Sequence, residues 1–121
     1  MFAGLNGAVA VALAAFASHS PIIAGNSYLL SVFAKANTMH FYHILALLFS
    51  ATFYHLTANR WWLLSGILFA LGIGLFCSTL YLFAFSGAKI AGFLTPVGGS
   101  CFIFAWLIVI LAAYRGLSRD S

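Results

Sequence analysis

From Trp61 to Ser86 the chain runs without one charged side chain. A water-soluble fold buries such a run only if the rest of the chain can coat it with polar residues. Here the rest cannot: the whole 121-residue chain holds five Lys and Arg and a single acid, Asp120. A soluble domain would carry about a quarter charged residues. This excludes an ordinary soluble enzyme and a disordered chain. Five scattered basic residues also form no patch for nucleic acid. What remains is an integral membrane protein, whose first partner is the lipid bilayer.

A span needs about 20 largely apolar residues. Four segments qualify, at about 1–18, 41–58, 61–86 and 96–114. The first is rich in alanine and interrupted only by Asn6. The third is longer than a bilayer needs, so it tilts. Gly87 suits the end of the third helix. Thr95-Pro96 reads as an N-cap followed by proline at the first helical position of the fourth. No stretch alternates with period two, which argues against a transmembrane barrel. Pro21 and Gly25-Asn26-Ser27 break the chain after the first span. Residues 26–40 then mix Tyr28, Leu29, Leu30, Val32 and Phe33 with Ser31, Lys35, Asn37 and Thr38, which suits a short amphipathic helix at the interface rather than a re-entrant segment, either separate from or continuous with the second span. The expected fold is all-α: one membrane domain, a four-transmembrane-helix bundle with that interfacial helix between its first and second spans.

The first segment ends in Ala15-Phe16-Ala17, similar to a cleavage site. No Lys or Arg precedes its apolar run, so it reads as a retained span rather than a signal peptide. With an even number of spans both termini share a side. That side carries the N-terminal amine, Arg60, Arg115 and Arg119; the other carries Lys35 and Lys89. The positive-inside rule favours cytoplasmic termini. Trp61, Trp62, Tyr54 and Tyr114 form an aromatic belt at the same level, with Tyr28 and Tyr42 at the opposite one.

Between helices in lipid, small residues allow close approach. Gly66, Ala70, Gly74 and Ser78 form such a row on the third span. Gly4, Ala8 and Ala12 offer another on the first, with Asn6 on a different face. The second span presents Phe41, Phe49 and Phe53 to lipid or to a partner.

Ionisable groups inside spans usually mark chemistry. With Asp120 in the tail, no carboxylate is available for proton relay, acid–base catalysis or a hard-metal site. Histidines remain. His19 ends the first span, and His40 and His43 open the second on one helix face. Three neutral imidazoles near one level have the chemistry to bind zinc or copper, and a pair to ligate haem. The favoured alternative is that they hydrogen-bond across the bundle, with no cofactor. His55 reads as an interface residue, and Cys77 and Cys101 as small free thiols packed in the spans. Thr95, Pro96, Gly98 and Gly99 form a helix-entry motif. Its free N–H groups suit an anion, with Lys89 the one cation near, although a tight packed entry is the simpler reading. Few polar residues (Asn6, Ser65, Ser78, Thr79) and no inverted repeat argue against a polar pathway through a monomer.

Several stretches carry a resemblance. Ala14 to His19 is similar to a Gly-Ala-Phe-Gly-Ala-His ending of a first span. Tyr42 to Leu48 is similar to a Tyr-His-Ala-Leu-Ala-Leu run. Ser78-Thr79-Leu80-Tyr81 falls at Gly-Ser-Leu-Tyr. Thr95 to Gly99, followed by Trp106, looks like Thr-Pro-Ile-Gly-Gly…Gly-Trp. In this order they resemble the YgdD-like family of small bacterial inner-membrane proteins, a domain of unknown function, over nearly the whole chain. The resemblance implies a four-helix inner-membrane protein and no activity. It places His19 and His43 on motif positions, with Tyr42 beside them, and His40 where another polar residue is usual. Glycine is usual at Ala14, Ala17 and Ala105, and arginine is common at Thr38.

The expected function is therefore non-enzymatic: a structural or accessory subunit that associates with a larger membrane complex or with itself. A cofactor- or metal-binding protein using His19 and His43 is the alternative, and an oligomeric transporter or channel the second.

Overall fold

The structure is a computed structural model. It describes residues 2–86 and 93–120, except for the side chains of residues 2, 22, 24 and 117–120. The expectations placed on Met1, Gly87 and Lys89, and on the side chains of Arg119 and Asp120, lie outside the described residues. Every regular element among the described residues is helical. They are α1 (Phe2–Ser18), a single turn α2 (Pro21–Ala24), α3 (Ser27–Thr57), α4 (Arg60–Gly72), a π-helical segment (Ile73–Cys77), α5 (Ser78–Ser86) and α6 (Leu94–Asp120).

Local chemistry sets the boundaries. Pro21 opens α2, where its missing N–H costs nothing. Asn26 caps α3: its side-chain oxygen accepts from the N–H groups of Tyr28 and Leu29 at 2.9 and 3.2 Å. At the far end Ala58 adopts a left-handed conformation, and its N–H returns to the Tyr54 carbonyl at 2.8 Å. Asn59 then caps α4 through Trp61 N–H at 3.0 Å.

Among the described residues two helices are long and apolar enough to cross a bilayer: α4 to α5 taken together, Arg60–Ser86, and Leu94–Gly116 within α6. α1 is shorter, at 17 residues, or about 25 Å at the usual helical rise. The segment 26–40 does not form a separate interfacial helix. It is continuous with 41–57 as one 31-residue helix, because no glycine or proline interrupts α3 between its caps. The fourth helix starts two residues earlier than expected. Thr95 is therefore inside the first turn rather than its cap, and Pro96 still falls among the first N–H groups, which lack acceptors anyway.

The helices pack in sequence order rather than closing a ring. α1 lies mainly on α3, α3 on α4 and α5, and α6 on α4 and the π segment. The molecule is apolar outside: Leu45, Ile67, Leu71, Ile103, Leu107 and Ile110 are exposed, whereas His40, His43, Ser50, Ser65 and Thr79 are buried. That distribution suits lipid as solvent. Every described buried side-chain polar atom has a hydrogen-bond partner, as a bilayer demands.

The expected packing rows are only partly interior. Gly66 is buried, and a Cβ there would lie 3.7 Å from Leu47 and 3.8 Å from Ser50. Gly74 and Ser78 are exposed. The interior row at the same step is instead Phe69, Ile73, Cys77 and Tyr81, all buried, which lies about 60° around the helix from the small-residue row. In α1 the interior positions are Ala3, Ala10 and Ala17, not Gly4, Ala8 and Ala12, which are exposed.

Candidate functional site

Two polar clusters sit on the buried face of α3, about one turn apart. In the first, Asn37 and His40 face α1 and α5. Asn6 Oδ1 lies 3.0 Å from His40 Nε2 and can only accept, so Nε2 carries the ring proton. Nδ1 is then left to accept from the Tyr81 hydroxyl at 3.0 Å. The Tyr81 oxygen in turn accepts from Asn37 Nδ2 at 3.1 Å, and the same amide donates to the Ala10 carbonyl at 3.1 Å. One connected network thus ties α1, α3 and α5.

The second cluster ties α3 to α4 and α6. The Met39 carbonyl accepts from His43 Nδ1 at 2.7 Å, which fixes the proton there. His43 Nε2 accepts from Trp106 Nε1 at 3.2 Å. The imidazole stacks on Phe102, with centroids 3.6 Å apart and planes at 14°, and Phe69 packs against both the imidazole and the Trp106 indole.

Two hydroxyl pairs complete the helix joins. Ser65 donates to Ser50 at 3.0 Å between α3 and α4. The Thr79 and Thr95 hydroxyls meet at 2.6 Å between α5 and α6. Thr79 also bonds the Leu75 and Phe76 carbonyls, both at 2.9 Å. It thereby serves acceptors in the stretch that the π segment disturbs.

The expected histidine set is not assembled. His19 is exposed in the turn after α1. Tyr42 is also exposed, whereas its neighbour His43 is buried. His40 and His43 are buried, and each has both ring nitrogens engaged. Among the described residues no group of three or more His, Cys, Asp or Glu is placed to hold a metal. Haem or a metal would have to displace Trp106, Tyr81 or Asn6 from the two buried rings. Cys77 is a buried free thiol, and Cys101 is a partly buried one.

Of the helix-entry motif, Thr95 bonds Thr79 and Gly98 makes the closest contact. A Cβ at Gly98 would collide with the backbone nitrogen of Phe76 and lie 2.9 Å from its Cα. Gly99 is looser, at 3.8 Å from the Phe76 ring. The motif therefore brings α6 onto the π segment.

Beside the first cluster a groove of about 450 Å³ opens between α1 and the π segment with α5. Asn6, His40 and Tyr81 form its polar floor, and Gly74, Ser78 and Phe85 line its far wall. The roles of Asn37 and Tyr81 were not apparent from the sequence. Asn37 is three residues before His40 on one helix face, which is the available signal. Tyr81 is 41 residues from His40, and spacing does not link them.

The fold and these clusters define a small all-helical membrane protein whose buried polar side chains join its helices to one another. A model of the family "Protein of unknown function (DUF423)" matches residues 13–99. A UPF0382 membrane protein of Staphylococcus aureus is 36% identical over 92% of this chain and 90% of its own length. A second, from Staphylococcus saprophyticus, is 35% identical over 92% of each. The UPF0382 inner membrane protein YgdD of Escherichia coli is 30% identical over 95% of this chain and 88% of its own. The chain belongs to this family of uncharacterised bacterial inner-membrane proteins, in agreement with the resemblance noted in its motifs. No solved structure matches it.

Proposed function

We propose that the chain is a four-span protein of the bacterial inner membrane, with cytoplasmic termini, that acts by association rather than catalysis. It is a structural or accessory subunit that packs against a larger membrane complex or a second copy of itself. The groove beside α1 carries this reading. Its walls are apolar, and a Cβ at Gly74 would meet nothing within 4 Å. Gly74 and Ser78 therefore offer a small-residue surface, the kind that lets another transmembrane helix approach. The polar side chains of the bundle are already engaged with each other, which leaves little capacity for chemistry. A cofactor role for His19 and His43 has less support, because His43 has no free ring nitrogen. An oligomeric transporter or channel has less support too, because the polar groups bridge helices rather than line a path.

The test is purification from native membranes in mild detergent, with a photo-crosslinking residue at Ser78 and a control at Leu107. Capture of a membrane protein, or of a second copy, at 78 but not at 107 is expected. A monomeric protein with no crosslinked partner at 78 would rule the reading out.

A further inference from the structure

At the end of the molecule remote from the groove, a recess of about 670 Å³ lies between the start of α4 and the last turns of α6. Arg60 and Arg115 both line it, with Asn59, Trp61, Leu111 and Tyr114. These two are among only five basic side chains in the chain. They come from residues 55 positions apart in sequence and converge on one cavity. The Arg115 guanidinium sits over the Trp61 ring, 5.1 Å from its centroid, which holds it at the cavity wall. Neither arginine has a carboxylate partner among the described residues, and Asp120 is the chain's one acid. Two cations facing one recess repel each other unless an anion sits between them.

The surroundings identify the anion's carrier. The recess lies at one end of Arg60–Ser86 and near one end of Leu94–Gly116, both long and apolar enough to span a bilayer. Trp61 and Tyr114 are the aromatic types that settle at headgroup level. Leu111 marks where the apolar flank begins. We infer that Arg60 and Arg115 form a headgroup site for an anionic phospholipid, with its phosphate between the guanidinium groups and its acyl chains along α6. Guanidinium groups match phosphate oxygens in pairs, and Asn59 and Tyr114 add neutral donors at the rim. A zwitterionic lipid brings its own cation to the recess and binds less well.

The experiment is native mass spectrometry of the full chain extracted from vesicles of equal phosphatidylglycerol and phosphatidylcholine, supported by thermal unfolding with each lipid added back. The unmodified protein should retain phosphatidylglycerol in clear preference, and that lipid alone should raise its melting temperature. Arg60→Gln with Arg115→Gln should lose the preference, by about fivefold for each charge removed. Lys35→Gln, at the other end of the molecule, should leave it unchanged. Arg60→Lys with Arg115→Lys should retain part of it, and this pair decides the matter should the glutamine pair not fold. Millimolar inorganic phosphate should not displace the lipid. Equal retention of both lipids by the unmodified protein would overturn the inference. So would unchanged preference in the glutamine pair, or displacement by inorganic phosphate, which would make the recess a soluble-anion site.

Discussion

Ala58 is the one described non-glycine residue with a positive φ, at 54°. An L-residue held there costs about 1 kcal/mol relative to glycine. The conformation persists because it reverses the chain between α3 and α4, where its N–H closes α3 on Tyr54 and Asn59 follows as the next cap. The side chain of Ala58 is exposed, so little packing opposes its removal. Ala58→Gly should stabilise the protein by about 0.5–1 kcal/mol, read as a higher midpoint in an SDS titration. A lower midpoint would mean that the methyl group makes contacts that outweigh the backbone strain.

At the scale of the helix, the decisive contact is the approach of α6 to the π segment. Gly98→Ala would push a methyl group against the backbone of Phe76, and a backbone cannot rotate aside. The helices must part, at a cost of about 1–3 kcal/mol. Gly74→Ala meets no such neighbour and improves helix propensity by up to about 1 kcal/mol. The same SDS titration should therefore separate the two glycines in sign. If the groove receives a partner helix, Gly74→Ala should also weaken association while it stabilises the chain. The contrast explains what the sequence could reveal. The breaks at Pro21 and at Gly25-Asn26-Ser27 were legible because a helix end depends on its own neighbours. The continuity of α3 through His40 was left open by polar residues that resemble an interfacial segment, yet Asn37 and His40 bond other helices. The π segment was not apparent in the sequence, and neither was its close contact with Gly98 of the next helix. The row through Gly74 and Ser78 was read as interior because its residues are small, whereas the buried face carries Phe69, Ile73, Cys77 and Tyr81.

For the whole molecule, the charge asymmetry becomes a spatial fact. Arg60 and Arg115 meet at one end, while exposed Lys35 lies in the first turns of α3, the half that packs beside α1. The arginine end should therefore face the cytoplasm. Reporter fusions at the C-terminus should be fluorescent as a cytoplasmic fusion and inactive as an exported phosphatase. The opposite pattern would reverse the orientation and place the headgroup recess in the outer leaflet. The membrane character of the chain was fully legible from its charge content. The order of packing, with α1 touching mainly α3, was not, because it rests on Asn6 and Ala10 meeting His40 and Asn37. Those contacts join residues from 27 to 34 positions apart, and no local pattern encodes them.

The bond between Trp106 and His43 carries an optical consequence. Trp61 and Trp62 begin α4, whereas Trp106 lies in the body of α6 with its indole N–H held by a neutral imidazole of α3. If α3 and α6 separate, this indole alone loses its partner. With Trp61 and Trp62 replaced by phenylalanine, the fluorescence of the remaining tryptophan becomes a built-in gauge of whether the two helices are joined.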